Sequence, residues 1–159
     1  MTNDLPPADP GALTTYIQSR YHDLHRAQLP DLAALALGVE RVHGDVPEVP
    51  NGLGALLQRM IGALEVHMKK EELILFPAIR RGATPGLGAP IAIMRADHDD
   101  HAADVAKIRL LTDNLTLPDS ACRSWTALYE GLATFLADLD AHIRLENDVL
   151  FPQFEPANA

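Results

Sequence analysis

Cysteine occurs once in these 159 residues, at Cys122. That single thiol excludes an internal disulfide framework, a four-cysteine iron–sulfur site and a zinc ribbon. Basic side chains are also scarce, 13 against 22 acidic ones, for a formal net charge of −9. Nucleic acid and anionic membrane surfaces need a basic footprint, so neither is expected as a partner. No apolar run approaches the roughly 20 residues of a membrane span. The stretch from Met1 to Gly11 is polar and Pro-rich, without the basic and apolar regions of a secretory signal. A soluble cytoplasmic domain is the resulting expectation. Alternation of the strand type appears nowhere, and the length fits one domain.

Histidine, by contrast, is plentiful, with seven in a small acidic chain. The apolar pattern around them is helical. Leu13 to Val42 carries Ile17, Tyr21, Leu24, Leu29, Leu32, Leu35, Leu37 and Val39 near helical period, with Pro30 expected to kink or break it. Residues 44–54 (GDVPEVPNGLG) read as a connection, followed by a helix from about Leu53 to Arg81. After a second break at 82–90 (GATPGLGAP), a third helix covers about Pro90 to Leu115 and a fourth about Ser120 to Leu150. Thr116 or Asp119 is the candidate cap between them. Four such helices with short connections imply an all-α, antiparallel four-helix bundle. The bundle is expected over 13–153, with a disordered tail at 1–12 and a frayed end at 154–159.

The chain also repeats itself. Residues 67–77 read HMKKEELILFP and residues 142–152 read HIRLENDVLFP, in register 75 positions apart. His22-Asp23-Leu24-His25 likewise matches His98-Asp99-Asp100-His101, 76 positions apart. The protein is therefore two pseudo-symmetric helical hairpins, each HDxH followed by HxxxExxxLFP. Leu-Phe-Pro can persist for packing alone, but matched His and Glu have no such rationale.

His67 and Glu71, four residues apart, share one helix face, as do His142 and Glu146. The apolar runs that follow place both faces near the core, where imidazoles and carboxylates need partners. His22 and His98 complete the symmetry from the other two helices. Four His and two Glu suit iron among the common metals. Glu71 and Glu146 can each bridge two ions held about 3.5–4 Å apart. Each ion then has two imidazoles, two carboxylate oxygens and an oxo or hydroxo bridge, with a position open for a diatomic ligand. The expected cofactor is a non-haem pair of iron ions.

Other residues are placed outside this set. His43 lies 21 residues after His22, about 31 Å along a straight helix, and has no counterpart in the second hairpin. Its Glu40-x-x-His43 spacing matches ferritin-like motifs, but those need two copies. His25 and His101 are either groups behind the ligands or semi-exposed residues, the second being the plainer reading. Asp23 and Asp99 should face solvent, Trp125 and Tyr129 should be core, and Tyr21 is a candidate for lining the site. Cys122 is either activated by a helix start or buried and inert.

The order H…HxxxE…H…HxxxE with its LFP tails resembles the haemerythrin-like superfamily, and within it the repair of iron centres proteins. The stretches Arg20 to Pro30, Val39 to His43, His67 to Pro77, Cys122 to Trp125 and His142 to Pro152 carry the likeness, which covers about 13–153. The resemblance implies His22, His67, Glu71, His98, His142 and Glu146 as ligands, and gives His43 more weight than its spacing does. It implies a role in nitrosative or oxidative stress: repair of iron–sulfur clusters, or nitric oxide binding or reduction at the di-iron site. Damaged iron–sulfur proteins would be partners, with nitric oxide or oxygen as small ligands. An oxygen- or redox-sensing module is the alternative. Oxygen-carrying haemerythrins end in HxxxxD where this chain has HxxxE, which disfavours reversible carriage. The family's cysteine-bearing N-terminal domain is not in this sequence, so steps needing its thiols are expected either to fall to another protein or not to occur here.

Overall fold

The computed structural model describes residues 5–82 and 85–156. Helix α1 spans residues 10–42: α-helical Pro10–Ile17, a π-helical turn Gln18–His22, then α-helical Asp23–Val42. Helix α2 spans residues 53–80, with its own π turn at Glu71–Leu75 between Leu53–Lys70 and Phe76–Arg80. Helix α3 is Gly88–Leu111. Helix α4 spans residues 123–150, α-helical over Arg123–Arg144 and π-helical over Leu145–Leu150, followed by a 3₁₀ turn at Phe151–Gln153. The described residues hold no strand, and the bundle is the one expected.

Helix α1 packs on α2 and α4, and α2 on α3. Paired positions run in opposite directions along each contact. Arg26 meets Glu65 while Thr14 meets Arg80; His25 meets His142 while Gln28 meets Asp138. Arg95 to Glu155 and His98 to Asn147 join α3 to α4 in the same antiparallel sense.

The helix ends differ from the sequence expectation in ways with local causes. Helix α1 begins at Pro10, because Asp9 caps it through the Ala12 N–H and proline suits a first-turn position. Residues 10–12 are thus helical, not tail. At the other end Phe154 packs on the apolar cluster and Glu155 pairs with Arg95, so 154–155 are held as well; 1–4 and 157–159 lie outside the described residues. Pro30 does not break α1. It is exposed, so the carbonyl its ring leaves unbonded lies on the water side. Helix α3 stops at Leu111 rather than 115, where Asp113, Asn114 and Leu115 all take positive φ. The cap of α4 is Cys122, whose Sγ accepts from the Trp125 N–H at 3.5 Å, and not Thr116 or Asp119.

Two apolar clusters fill the interior. The larger holds Leu32, Leu57, Leu64, Trp125, Leu132 and Phe135 among others. The smaller gathers Leu13, Ile17, Phe76, Ile91 and Phe151 at the opposite end. Between them lies a buried polar layer: His22, His25, His67, Glu71, His98, His101, His142 and Glu146. Such a layer is costly to bury unless its polar atoms are satisfied.

Candidate metal centre

All six residues singled out by the repeat meet in this layer, each 3% exposed or less. They form two overlapping groups. His22, His142, Glu71 and Glu146 make one; His67, His98, Glu71 and Glu146 make the other, each with donor atoms within 4.8 Å of one another. Each group takes one histidine from each hairpin, and the two glutamates are common to both. His22 Nε2 stands 3.1 Å from Glu71 Oε1, and His67 Nε2 stands 3.5 Å from the same oxygen. His98 Nε2 and His142 Nε2 approach Glu146 at 2.9 and 3.1 Å.

Three of the six sit in π turns: His22 closes one, Glu71 opens another, and Glu146 is second in the third. A π turn widens the helix by a residue and re-aims the side chains around it, which is why such turns collect at functional sites. Helix α3 supplies His98 from regular α-helix.

The outward nitrogen of each histidine is engaged. His22 Nδ1–H donates to Glu72 Oε2 at 2.8 Å, His67 Nδ1–H to Asp97 Oδ2 at 3.0 Å, and His98 Nδ1–H to Asn147 Oδ1 at 2.7 Å. His142 Nδ1 meets His25 Nε2 at 3.0 Å. Glu72 is in turn clasped by Arg26, which also grips Glu65. Ionised carboxylates only accept, so the proton of His22 and of His67 resides on Nδ1 and the Nε2 lone pair faces the centre. Carboxylate or carbonyl support behind a ligating imidazole is the usual arrangement at metal sites.

Burial keeps four of the imidazoles neutral; it also disfavours the charged form of His98, but there the adjacent Glu146 carboxylate outweighs it and raises His98 above its ordinary value. Burial pushes His22, helped by His142, down to about 4, and His67 to about 4. His25 falls to about 3 and His101 to about 4 for the same reason. Glu71 is raised well above the usual range by burial and by Glu146 beside it. Burial also works against ionisation of Glu146, but His142 and His98 outweigh it and hold Glu146 well below that range. One carboxylate of the pair therefore keeps a proton when nothing else neutralises it.

Four buried donor atoms in the centre have no hydrogen bond: His67 Nε2, His98 Nε2, Glu71 Oε2 and Glu146 Oε1. His98 Nε2 and Glu146 Oε1 are 2.9 Å apart yet misaligned for one. Nitrogens and carboxylate oxygens that converge without hydrogen bonds fit a cation, and the donor sets are two and overlap.

The aromatic lid over the layer explains the repeated LFP. Phe76 stacks on His22 at 5.8 Å and 14°, and Phe151 stacks on His98 at 5.7 Å and 11°. Tyr21 lines the site as expected, parallel to His142 at 5.3 Å.

His25 and His101 are not semi-exposed: both are buried, against His142 and His67 respectively. His43 stays outside both groups. It ends α1 with its ring 5.3 Å from Trp125, which with Tyr129 belongs to the larger core. Glu40 caps α2 instead of ligating, its carboxylate accepting from the N–H groups of Gly52 and Gly54 at 2.6 and 3.0 Å. Asp23 and Asp99 are exposed. Cys122 is half-buried on a cavity of about 460 Å³ that His43 also lines. A polar cleft of about 580 Å³ between α2 and α3, walled by Arg59, Lys70, Asp97 and His101, opens beside His67.

Glu72, Asn147 and Asp97 were not singled out from the sequence. Glu72 and Asn147 occupy matching places in the repeat, one residue after the shared glutamates. That was an available signal, hidden because neighbours on an ideal helix point about 100° apart. Asp97 has no polar counterpart, since Tyr21 stands at the matching place.

Comparison with known proteins gives the family. Residues 14–154 match the Hemerythrin HHE cation binding domain. A protein named iron-sulfur cluster repair protein YtfE from Yersinia pseudotuberculosis serotype O:1b (strain IP 31758) is 49% identical over 141 residues, 89% of this chain and 64% of its own length. The protein of that name from Yersinia pestis (strain Pestoides F) is 48% identical over the same span. This chain thus spans 64% of the length of the curated relatives it matches. Among the described residues no helix is long and apolar enough to cross a membrane. A buried His/Glu layer of this arrangement and a match over nearly its whole length make this chain a member of the haemerythrin HHE cation-binding family.

Proposed function

We propose that this chain is a non-haem di-iron protein of the nitrosative and oxidative stress response, acting in repair of iron–sulfur clusters. His22 and His142 would hold one ion, His67 and His98 the other, with Glu71 and Glu146 bridging both. The observation that carries the reading is the pair of overlapping donor groups with four buried, unbonded lone-pair atoms. The name that the relatives carry, iron-sulfur cluster repair protein, supports the direction of the function. Bound iron would supply a redox-active pair with room for a diatomic ligand such as nitric oxide or oxygen, or iron that can be passed on.

The chain's own residues prepare that chemistry. His22 and His67, held neutral by burial, need lose no proton to ligate, whereas Glu71 must lose its own, so loading couples to proton release. Phe76, Phe151 and Tyr21 cover three of the four imidazoles and exclude water from them. Carboxylates and imidazoles form a more exchangeable cage than four thiolates, which suits a protein that gives iron up.

The test is reconstitution. An iron–sulfur protein whose cluster has been dismantled by nitric oxide is incubated with the iron-loaded protein or with its Glu71→Ala variant. The reading expects activity to return with the first and not the second. Equal recovery with both, or none with the loaded protein, overturns it.

A further inference from the structure

Glu72, the acceptor behind His22, is itself held from across the α1–α2 interface. Arg26 lies one turn after His22 on α1, and its guanidinium bridges two carboxylates of α2. Nη1–H and Nη2–H donate to Glu72 Oε2 and Oε1 at 2.8 and 2.9 Å, while Nε–H and Nη2–H donate to Glu65 Oε2 and Oε1 at 2.9 and 3.2 Å. Four of its five N–H donors are thus spent on two forks. We infer that Arg26 is a positioning residue for the ion that His22 and His142 would hold. It fixes the Glu72 carboxylate against His22 Nδ1–H and so keeps the ring turned with Nε2 toward the centre. This rests on the di-metal reading above.

A glutamate left to itself would hold His22 poorly, because its carboxylate can swing about its last bond while Oε2 has to stay 2.8 Å from His22 Nδ1. The forks remove that freedom in two ways. Both Glu72 oxygens are bound, so the carboxylate cannot turn. Glu65, two turns earlier on α2, anchors the other edge of the guanidinium, so Arg26 cannot follow Glu72 away. Asp23 stands 3.8 Å from the same guanidinium, but it is exposed and makes no hydrogen bond to it.

The second hairpin backs its histidine without an arginine. Asn147 stands at the place of Glu72, and its Oδ1 accepts from His98 Nδ1–H at 2.7 Å. Ala102 takes the place of Arg26, and Asp140, at the place of Glu65, pairs with Arg144 one turn along its own helix. Arg95 reaches the backbone carbonyl of Asn147, at 2.9 Å, and not its side chain. Carboxylate and arginine therefore occur together behind His22 and are absent together behind His98, where a neutral amide needs no counter-charge. A staple between α1 and α2 would account for the Glu65 fork alone. It does not account for the second fork closing on the carboxylate that backs a central histidine.

The experiment titrates the metal-free full chain with cobalt(II) in competition with a chromogenic chelator, which resolves two binding steps. NMR of the loaded protein follows the solvent-exchangeable, hyperfine-shifted imidazole N–H signals. Arg26→Ala should weaken one step by about 10–100-fold and speed the exchange of one N–H signal. Arg26→Lys keeps the charge but cannot form two forks, so it should weaken the same step, and it is the probe if Arg26→Ala does not fold. Arg26→Ala combined with Glu72→Asn copies the second hairpin and should recover most of both losses. That double variant lacks the α1–α2 ion pairs as fully as Arg26→Ala does, so its recovery separates positioning from stapling. Unchanged binding and exchange in a folded Arg26→Ala, wild-type behaviour of Arg26→Lys, or a double variant no better than the single ones overturns the inference. A wild type that binds fewer than two cobalt ions fails the di-metal reading itself, before any variant is compared.

Discussion

Acidifying the metal-free protein should begin to destabilise it well above the pH at which its carboxylates titrate. His22, His67 and His101 are held at about 4 and His25 at about 3 by burial, whereas an unfolded chain protonates histidine near 6.5. Between roughly pH 6.5 and 4.5 the unfolded state binds a proton at each of these four sites and the native state does not. Glu71 works the other way, because its raised native pKa lets the folded state hold a proton that the unfolded carboxylate has lost. Four less one leaves about three protons taken up on unfolding. Stability then rises with pH, and falls by about 4 kcal/mol for each unit of acidification in this window. Across the two units of this window that is about 8 kcal/mol, against the roughly 5–15 kcal/mol a domain has in hand. The assay is thermal and urea unfolding by far-UV circular dichroism after chelation, from pH 7.5 to 4.5. The slope should correspond to about three protons, and His101→Asn should lower it toward two. A metal-free stability that stays flat from pH 7 to 5 would refute the placement of neutral histidines in the core.

Glu40→Ala should destabilise by about 2 kcal/mol, since it removes a charged acceptor from two N–H groups at the start of α2, while metal content is unchanged. Urea unfolding and metal analysis check the two halves of that statement. Gly131→Ala should cost about 1–3 kcal/mol, because an added Cβ would come within 2.6 Å of Leu32 Cδ2 where α4 passes close to α1; a melting temperature reads it. His43→Asn should leave metal content intact, as its ring packs on Trp125 away from both groups; loss of metal in that variant would place His43 in the centre.

The duplication made the bundle and all six central residues legible, because a repeat 75 or 76 positions long reveals which His and Glu have a counterpart. It also separated His43, which lacks one. The rest depended on geometry that an ideal 3.6-residue helix misstates. Glu72 points with Glu71 into one network only because residues 71–75 form a π turn. Pro30 looked like a break because proline removes a donor, yet its exposed position makes that loss inexpensive. His25 looked semi-exposed since its spacing from His22 said nothing about α4, whose His142 covers it.

The most direct test of the account is the metal count. Protein refolded anaerobically with ferrous iron should bind two ions per chain, and Glu71→Ala and Glu146→Ala should each lose one or both, because either glutamate serves both donor groups. Two ions retained in both variants, or none in the wild type, would contradict it.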